Sequence, residues 1–309
     1  MSRKSWLRST FQLHGSIVPA ILERSAFCAG FGLLISILYY YQLPVAQPAL
    51  GSVIPSIVLG LVLVFRTNTA YDRFWEGRRW WGILVTTIRN LAWQIWVNVD
   101  ESSVVNGSAP VRERKIATLR LLSAFAIAEK NYLRLEPASA DLAPLMSTAQ
   151  YSVMQKTQNM PLEIARWLGD YLKQECQQKR LSMYQLTAMQ SLINTLMETV
   201  GNCERILKTP LPLAYSIHIK QLVLIYCMVL PFQFVKDLNW WTAPFIALVS
   251  FTLFGIEEIG VEIENPFGYD ANDLPLDAIC TTIQQNIEDF IATEVVDVIA
   301  ASEDEKALI

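Results

Sequence analysis

"SIVLGLVLVFRTNTAYDRFWEGRRWWG", running from Ser56 to Gly82, is the stretch that decides how this chain is read. Up to Phe65 it is uncharged and fit for lipid; from Arg66 onward it is polar and studded with arginine. Neither Pro nor Gly stands at the Phe65–Arg66 seam, so a helix that enters it has no reason to stop. A helix that is apolar at one end and charged at the other passes from one medium into another.

Upstream of the seam, the 41 residues from Ser25 to Phe65 carry no formal charge. One crossing needs about 20 apolar residues, so this run holds two, parted by the turn sequence QLPVAQP at Gln42–Pro48. A second apolar pair lies far downstream: QLVLIYCMVLPFQFV (Gln221–Val235) and NWWTAPFIALVSFTLFGI (Asn239–Ile256). Both are short for lone spans, which leaves buried core helices as an alternative. Trp240 and Trp241, placed as an interfacial belt would be, favour crossing. Between the pairs, VRERKIATLRLLSAFAIAEKNYLRL and SMYQLTAMQSLINTLMETVGNCERIL repeat apolar residues at three and four, the period of amphipathic helices. Strand alternation is absent. The expected fold is all-α: four transmembrane helices and a large cytosolic helical domain.

Composition agrees. Apolar residues make up 52% of the 309 and charged residues 17%, against roughly 25% charged in soluble domains. The net charge of −4, with no basic face, speaks against nucleic acid as a partner. The five cysteines are scattered without a CxxC pair and read as small buried hydrophobes. The first apolar run begins late for a signal peptide, so the first span reads as mature protein. Arg3, Lys4, Arg8 and Arg24 precede the first span, and Arg66, Arg73, Arg78, Arg79 and Arg89 follow the second, while the loop between is uncharged. The positive-inside rule then puts both termini and the middle domain in the cytosol. The linear division is residues 1–24 as a cytosolic segment, 25–65 as the first helix pair, 66–218 as the cytosolic domain, 219–258 as the second pair, and 259–309 as a cytosolic segment ending in a frayed tail.

Along the second span, Ile57, Leu61 and Phe65 recur every four residues and form one slowly drifting stripe. Such a stripe suits lipid or a neighbouring helix as well as a pore. Its continuation is polar: Thr69 and Arg73 follow on the same side, with Asn68 and Asp72 adjacent. An apolar neck opening into a hydrated vestibule has that pattern, and so has a helix packing on its own cytosolic domain.

Three motifs, LVFRTNTAYDRFWEGRRWWG, GNCERILKTPLPLAYSIH and IENPFGYDANDLPLD, resemble bestrophin-type channels, in particular bacterial and plant chloroplast members, in the same order and between the same spans. The resemblance covers roughly residues 10–290. It implies a homopentamer in which the second transmembrane helix of each subunit lines a central pore, with a neck of three apolar residues one turn apart. Laid on this sequence, these are Ile57, Leu61 and Phe65. A second constriction, the cytosolic aperture, falls on Tyr184, where bacterial relatives carry an aliphatic residue. Some members pass anions and others cations, and the charges here pull both ways. Arg66, Asn68 and Arg73 would give a field favouring anions, whereas Glu257, Glu258, Glu262 and Glu264 would favour cations, or be a solvated face at a membrane exit. Chloride is the expected ion, sodium the alternative, and a non-channel transporter or scaffold the competing class.

Animal bestrophins bind calcium in an acidic loop after PFG. Here Asp270 and Asp273 fall at acidic positions while Tyr269, Ala271 and Asn272 replace the others, a thin set for an ion that takes six or more oxygens. Asp273 reads equally well as a cap for a helix starting near Pro275. No cofactor is expected. HExxH, GxSxG, P-loop and GxGxxG motifs are absent, and the two histidines, His14 and His218, stand at membrane borders, so no enzyme is read. The expected partners are further copies of the chain, membrane lipids and the permeating ion. The expected home is a bacterial plasma membrane, or a thylakoid.

Overall fold

The computed structural model describes Gln12, residues 15–47, 53–101 and 111–307, with side chains as far as residue 293. Arg3, Lys4, Arg8 and His14, and the connection from Ser102 to Pro110, lie outside the described residues. The described residues are helical without a strand: α1 (Val18–Tyr40), α2 (Val53–Asn98), α3 (Val111–Leu133), α4 (Thr148–Met154), α5 (Met160–Gln177), α6 (Met183–Lys208), α7 (Leu213–Leu238), α8 (Thr242–Glu262) and α9 (Leu276–Ala307), with short 3₁₀ turns at Ala140–Leu145 and Asn239–Trp241. Helix is described as far as Ala307, within the tail read from sequence as frayed. Three stretches are long and apolar enough to cross a membrane: Val18–Tyr40, Val53–Asn98, and Leu213–Glu262, which holds both α7 and α8.

The seam is unbroken. Helix α2 runs through Phe65 and Arg66 for 46 residues, about 69 Å at the usual rise. Thr67 and Thr69, at the change of medium, return their hydroxyls to the carbonyls of Leu63 and Phe65 at 2.9 Å each. Their polarity is therefore satisfied within the helix itself. Helix α1 begins at Val18, two turns before the apolar run, because Pro19 suits a first turn and Glu23 and Arg24 are tolerated inside the helix. It ends where Gln42 takes a left-handed conformation (φ 63°).

The chain divides into two compact units. One takes the residues up to Glu76 together with Thr209–Asp273. Its core joins Ile21 and Cys28 of α1, Leu59 and Leu63 of α2, Val223 and Cys227 of α7, and Ile246 and Phe254 of α8. Pro231 sits inside α7, where its missing N–H is the kind of gap a membrane helix absorbs. The other unit takes Gly77–Lys208 and Leu274–Ile309. There α3 is central, packed by α5, α6 and α9. The amphipathic reading of α3 gives way to burial on every side from Leu121 to Asn131. The small residues of SAFAIA let neighbours close around it. All five cysteines are free thiols, and four are buried, in keeping with their reading as small hydrophobes.

Candidate functional site

The two faces of α2 in the apolar unit are opposite in character. Leu59, Leu63, Arg66 and Ala70 are at most 4% exposed. Ile57, Leu61 and Phe65 are 57%, 53% and 62% exposed. At about 100° per residue, the centres of the two sets lie roughly 190° apart around the axis. The stripe picked out by periodicity is thus the side the protomer leaves uncovered. Asn68, Thr69 and Asp72 prolong that exposed side, giving it a polar continuation.

Arg66 does not share it. Its side chain turns into the protomer, where Nη2 lies 3.5 Å from Glu257 Oε1, and both side chains are all but fully buried. Arg24 Nη1 reaches Glu258 at 2.7 Å and stands 3.8 Å from Glu257. The charges at the seam therefore balance inside each chain. Arg73 is also drawn inward, donating from Nε to the Glu264 carbonyl at 3.1 Å and from Nη1 to the Thr209 carbonyl at 2.5 Å. The remaining acids are similarly engaged: Glu262 accepts from Asn272 Nδ2 at 2.9 Å, and Glu264 from the Leu211 N–H at 2.9 Å. Of the charged and polar residues proposed for selectivity, only Asn68 stands open on the uncovered face.

In the second unit, Tyr184 is 90% exposed on the first turn of α6. A capping box holds that turn: Gln185 N–H donates to Ser182 Oγ, and the Gln185 side-chain Oε1 accepts from the Ser182 N–H at 2.9 Å. Deep in the same unit, Glu129 is fully buried, with Thr199 Oγ1 3.4 Å from Oε2. Burial pushes its carboxyl up to about 8, although Cys203 and Thr199 both offer it hydrogen bonds.

The family model for bacterial and fungal bestrophin proteins matches residues 1–289. The chain belongs to the bestrophin family. Among similar proteins, one from Nostoc sp. named voltage-dependent anion channel-forming protein is 58% identical over 290 residues, covering 94% of this chain and 93% of its own. A Synechocystis sp. protein of the same name is 49% identical over 294 residues, covering 94% and 93%. A crystal structure of a bacterial bestrophin homologue from Klebsiella pneumoniae superimposes with a TM-score of 0.79 at 28% identity, covering 88% of this chain and 98% of that one.

In this bestrophin the loop after PFG closes on itself. The Asp270 N–H donates to Asp273 Oδ2 at 2.8 Å, and a Cβ at Gly268 would stand 2.7 Å from that same oxygen, so the position admits only glycine without rearrangement. Calcium takes six or more oxygens. Asp273 Oδ2 is engaged by the loop's own backbone, and among the described residues no three His, Cys, Asp or Glu gather as metal ligands. What sequence reading missed is the Arg66–Glu257 pair. The available signal was a lone Arg and a lone EE doublet, each at the edge of an apolar run, hence at matching depth.

Proposed function

We propose that this bestrophin is an ion channel of a bacterial membrane, assembled as a homopentamer with four crossings per subunit and both termini cytosolic. Helix α2 of each copy lines the pore. Ile57, Leu61 and Phe65 form its apolar neck, and Tyr184 its cytosolic aperture. The permeating ions are small and monovalent, with chloride modestly preferred over sodium. The observation that carries this reading is the uncovered apolar stripe: three large side chains on one line, opposite a buried face, on a helix whose polar continuation stays open. A neck of that kind coordinates nothing and gates by dewetting, favouring weakly hydrated ions. The anion preference draws support from the names of the 58% and 49% identical relatives. Purified protein in planar bilayers under a NaCl gradient tests it. A reversal potential toward that of chloride is the expected result; one toward sodium overturns the anion preference, and silence under every gradient overturns the channel.

A further inference from the structure

We propose that Arg66 is a positioning residue of the conducting helix: clamped between Glu257 and the bare backbone at Gly260, its guanidinium fixes the rotation of α2 at the turn that carries Phe65. The proposal rests on the pore reading above. Arg66 follows Phe65 directly in sequence, so the angle of one side chain about the axis sets that of the other, about 100° away. Glu257 and Gly260 are three residues apart, on one face of α8. A Cβ at Gly260 would stand 3.2 Å from Arg66 Nε and 3.6 Å from Cδ, so the side chain crosses α8 in close contact with its backbone. Among the described residues, Arg66 Nε and Nη1 and Glu257 Oε1 make no hydrogen bond, and Glu257, 3.5 Å from Nη2, is the one carboxylate in ion-pair range of the guanidinium. A buried pair at a membrane edge is costly to keep, and a packed apolar pair would bring α2 and α8 together with less cost. An apolar pair would not, however, fix rotational register, and register is what a three-residue neck needs.

The test takes four variants in reconstituted full-length protein: Arg66→Gln, Glu257→Gln, the double variant, and Gly260→Ala, which keeps every charge and crowds the guanidinium. Open probability and the rate at which Phe65→Cys is modified by a charged methanethiosulfonate are both read. Arg66→Gln and Glu257→Gln are each expected to raise both by roughly tenfold and Gly260→Ala to raise both by a smaller factor, with the double variant nearer the parent than the sum of the two charge changes, as coupled residues behave. Single variants that match the parent, or a double variant that equals the sum, overturn the clamp. If Arg66→Gln fails to fold, Gly260→Ala asks the same question alone. If the parent passes no current, the pore reading has failed, and the modification rates still decide the clamp.

Discussion

Replacing Glu129 with Gln should flatten the dependence of stability on pH. The carboxyl is fully buried against Thr199 and Cys203, and its folded pKa of about 8 lies above the 4.5 of an unperturbed glutamate. A raised carboxylate pKa means that the folded chain holds a proton that the unfolded chain has released. Stability from this group is therefore complete below pH 4.5, falls as pH rises through the window, and reaches its floor above about 8. Between pH 6 and pH 8 the loss is about 2 kcal/mol, from 1.36 kcal/mol per pKa unit with rounding near the folded value. For a chain of this size, that moves a midpoint by on the order of 5 °C. Gln keeps the shape and carries no proton to lose. Thermal unfolding of the detergent-solubilised protein at half-unit pH steps, parent against Glu129→Gln, isolates this group from every other titrating residue. The expected parent slope exceeds the variant slope by that amount. Parallel slopes would refute the reasoning, because a carboxyl that ionises freely in place cannot be as buried as Glu129 is.

Other outcomes follow from the same geometry. Replacing Ile57, Leu61 and Phe65 together by Ala should raise single-channel conductance or open probability several-fold; unchanged currents would show that the barrier lies elsewhere. Gly268→Ala should push the Asp273 carboxylate off the Asp270 N–H and destabilise by about 0.5–1.5 kcal/mol, the net worth of one hydrogen bond, read as a lower thermal midpoint at neutral pH. Chelating calcium with EGTA should leave currents unchanged, since Asp273, one of the two carboxylates in the loop from Tyr269 to Asp273, already holds the Asp270 N–H; a current that disappears on chelation and returns with calcium would contradict this.

How much the sequence disclosed depends on whether the signal was local. The uncharged run to Phe65 and the lack of a breaker at Arg66 are local facts, and they give the long helix α2; which way its apolar stripe faces is set by the neighbours that cover the opposite side. The start of α1 was read late because Glu23 and Arg24 look like a boundary in a hydropathy profile. In the fold Arg24 belongs to the helix and pairs with Glu258, 234 residues away. Arg66 was read as a field source because it adjoins Phe65; only its angle on the helix and the arrival of α8 turn it inward. The glutamates resemble a solvated face for the same reason, since their partners Leu211, Asn272, Arg24 and Arg66 come from other parts of the chain. The two compact units interleave in sequence, so no linear division shows them.

The Arg66–Glu257 pair also has a history in time. Glu257 follows Arg66 by 191 residues. At about 5–20 residues per second, a ribosome needs on the order of 10–40 s to supply it. Through that interval the nascent α1–α2 hairpin carries a guanidinium at the edge of the bilayer without its Glu257 partner. A long side chain in that position reaches for the headgroups. Arg66 thus serves two successive roles in the proposed topology: a tether to the cytosolic leaflet while the chain is half made, then an interior strut once α8 arrives.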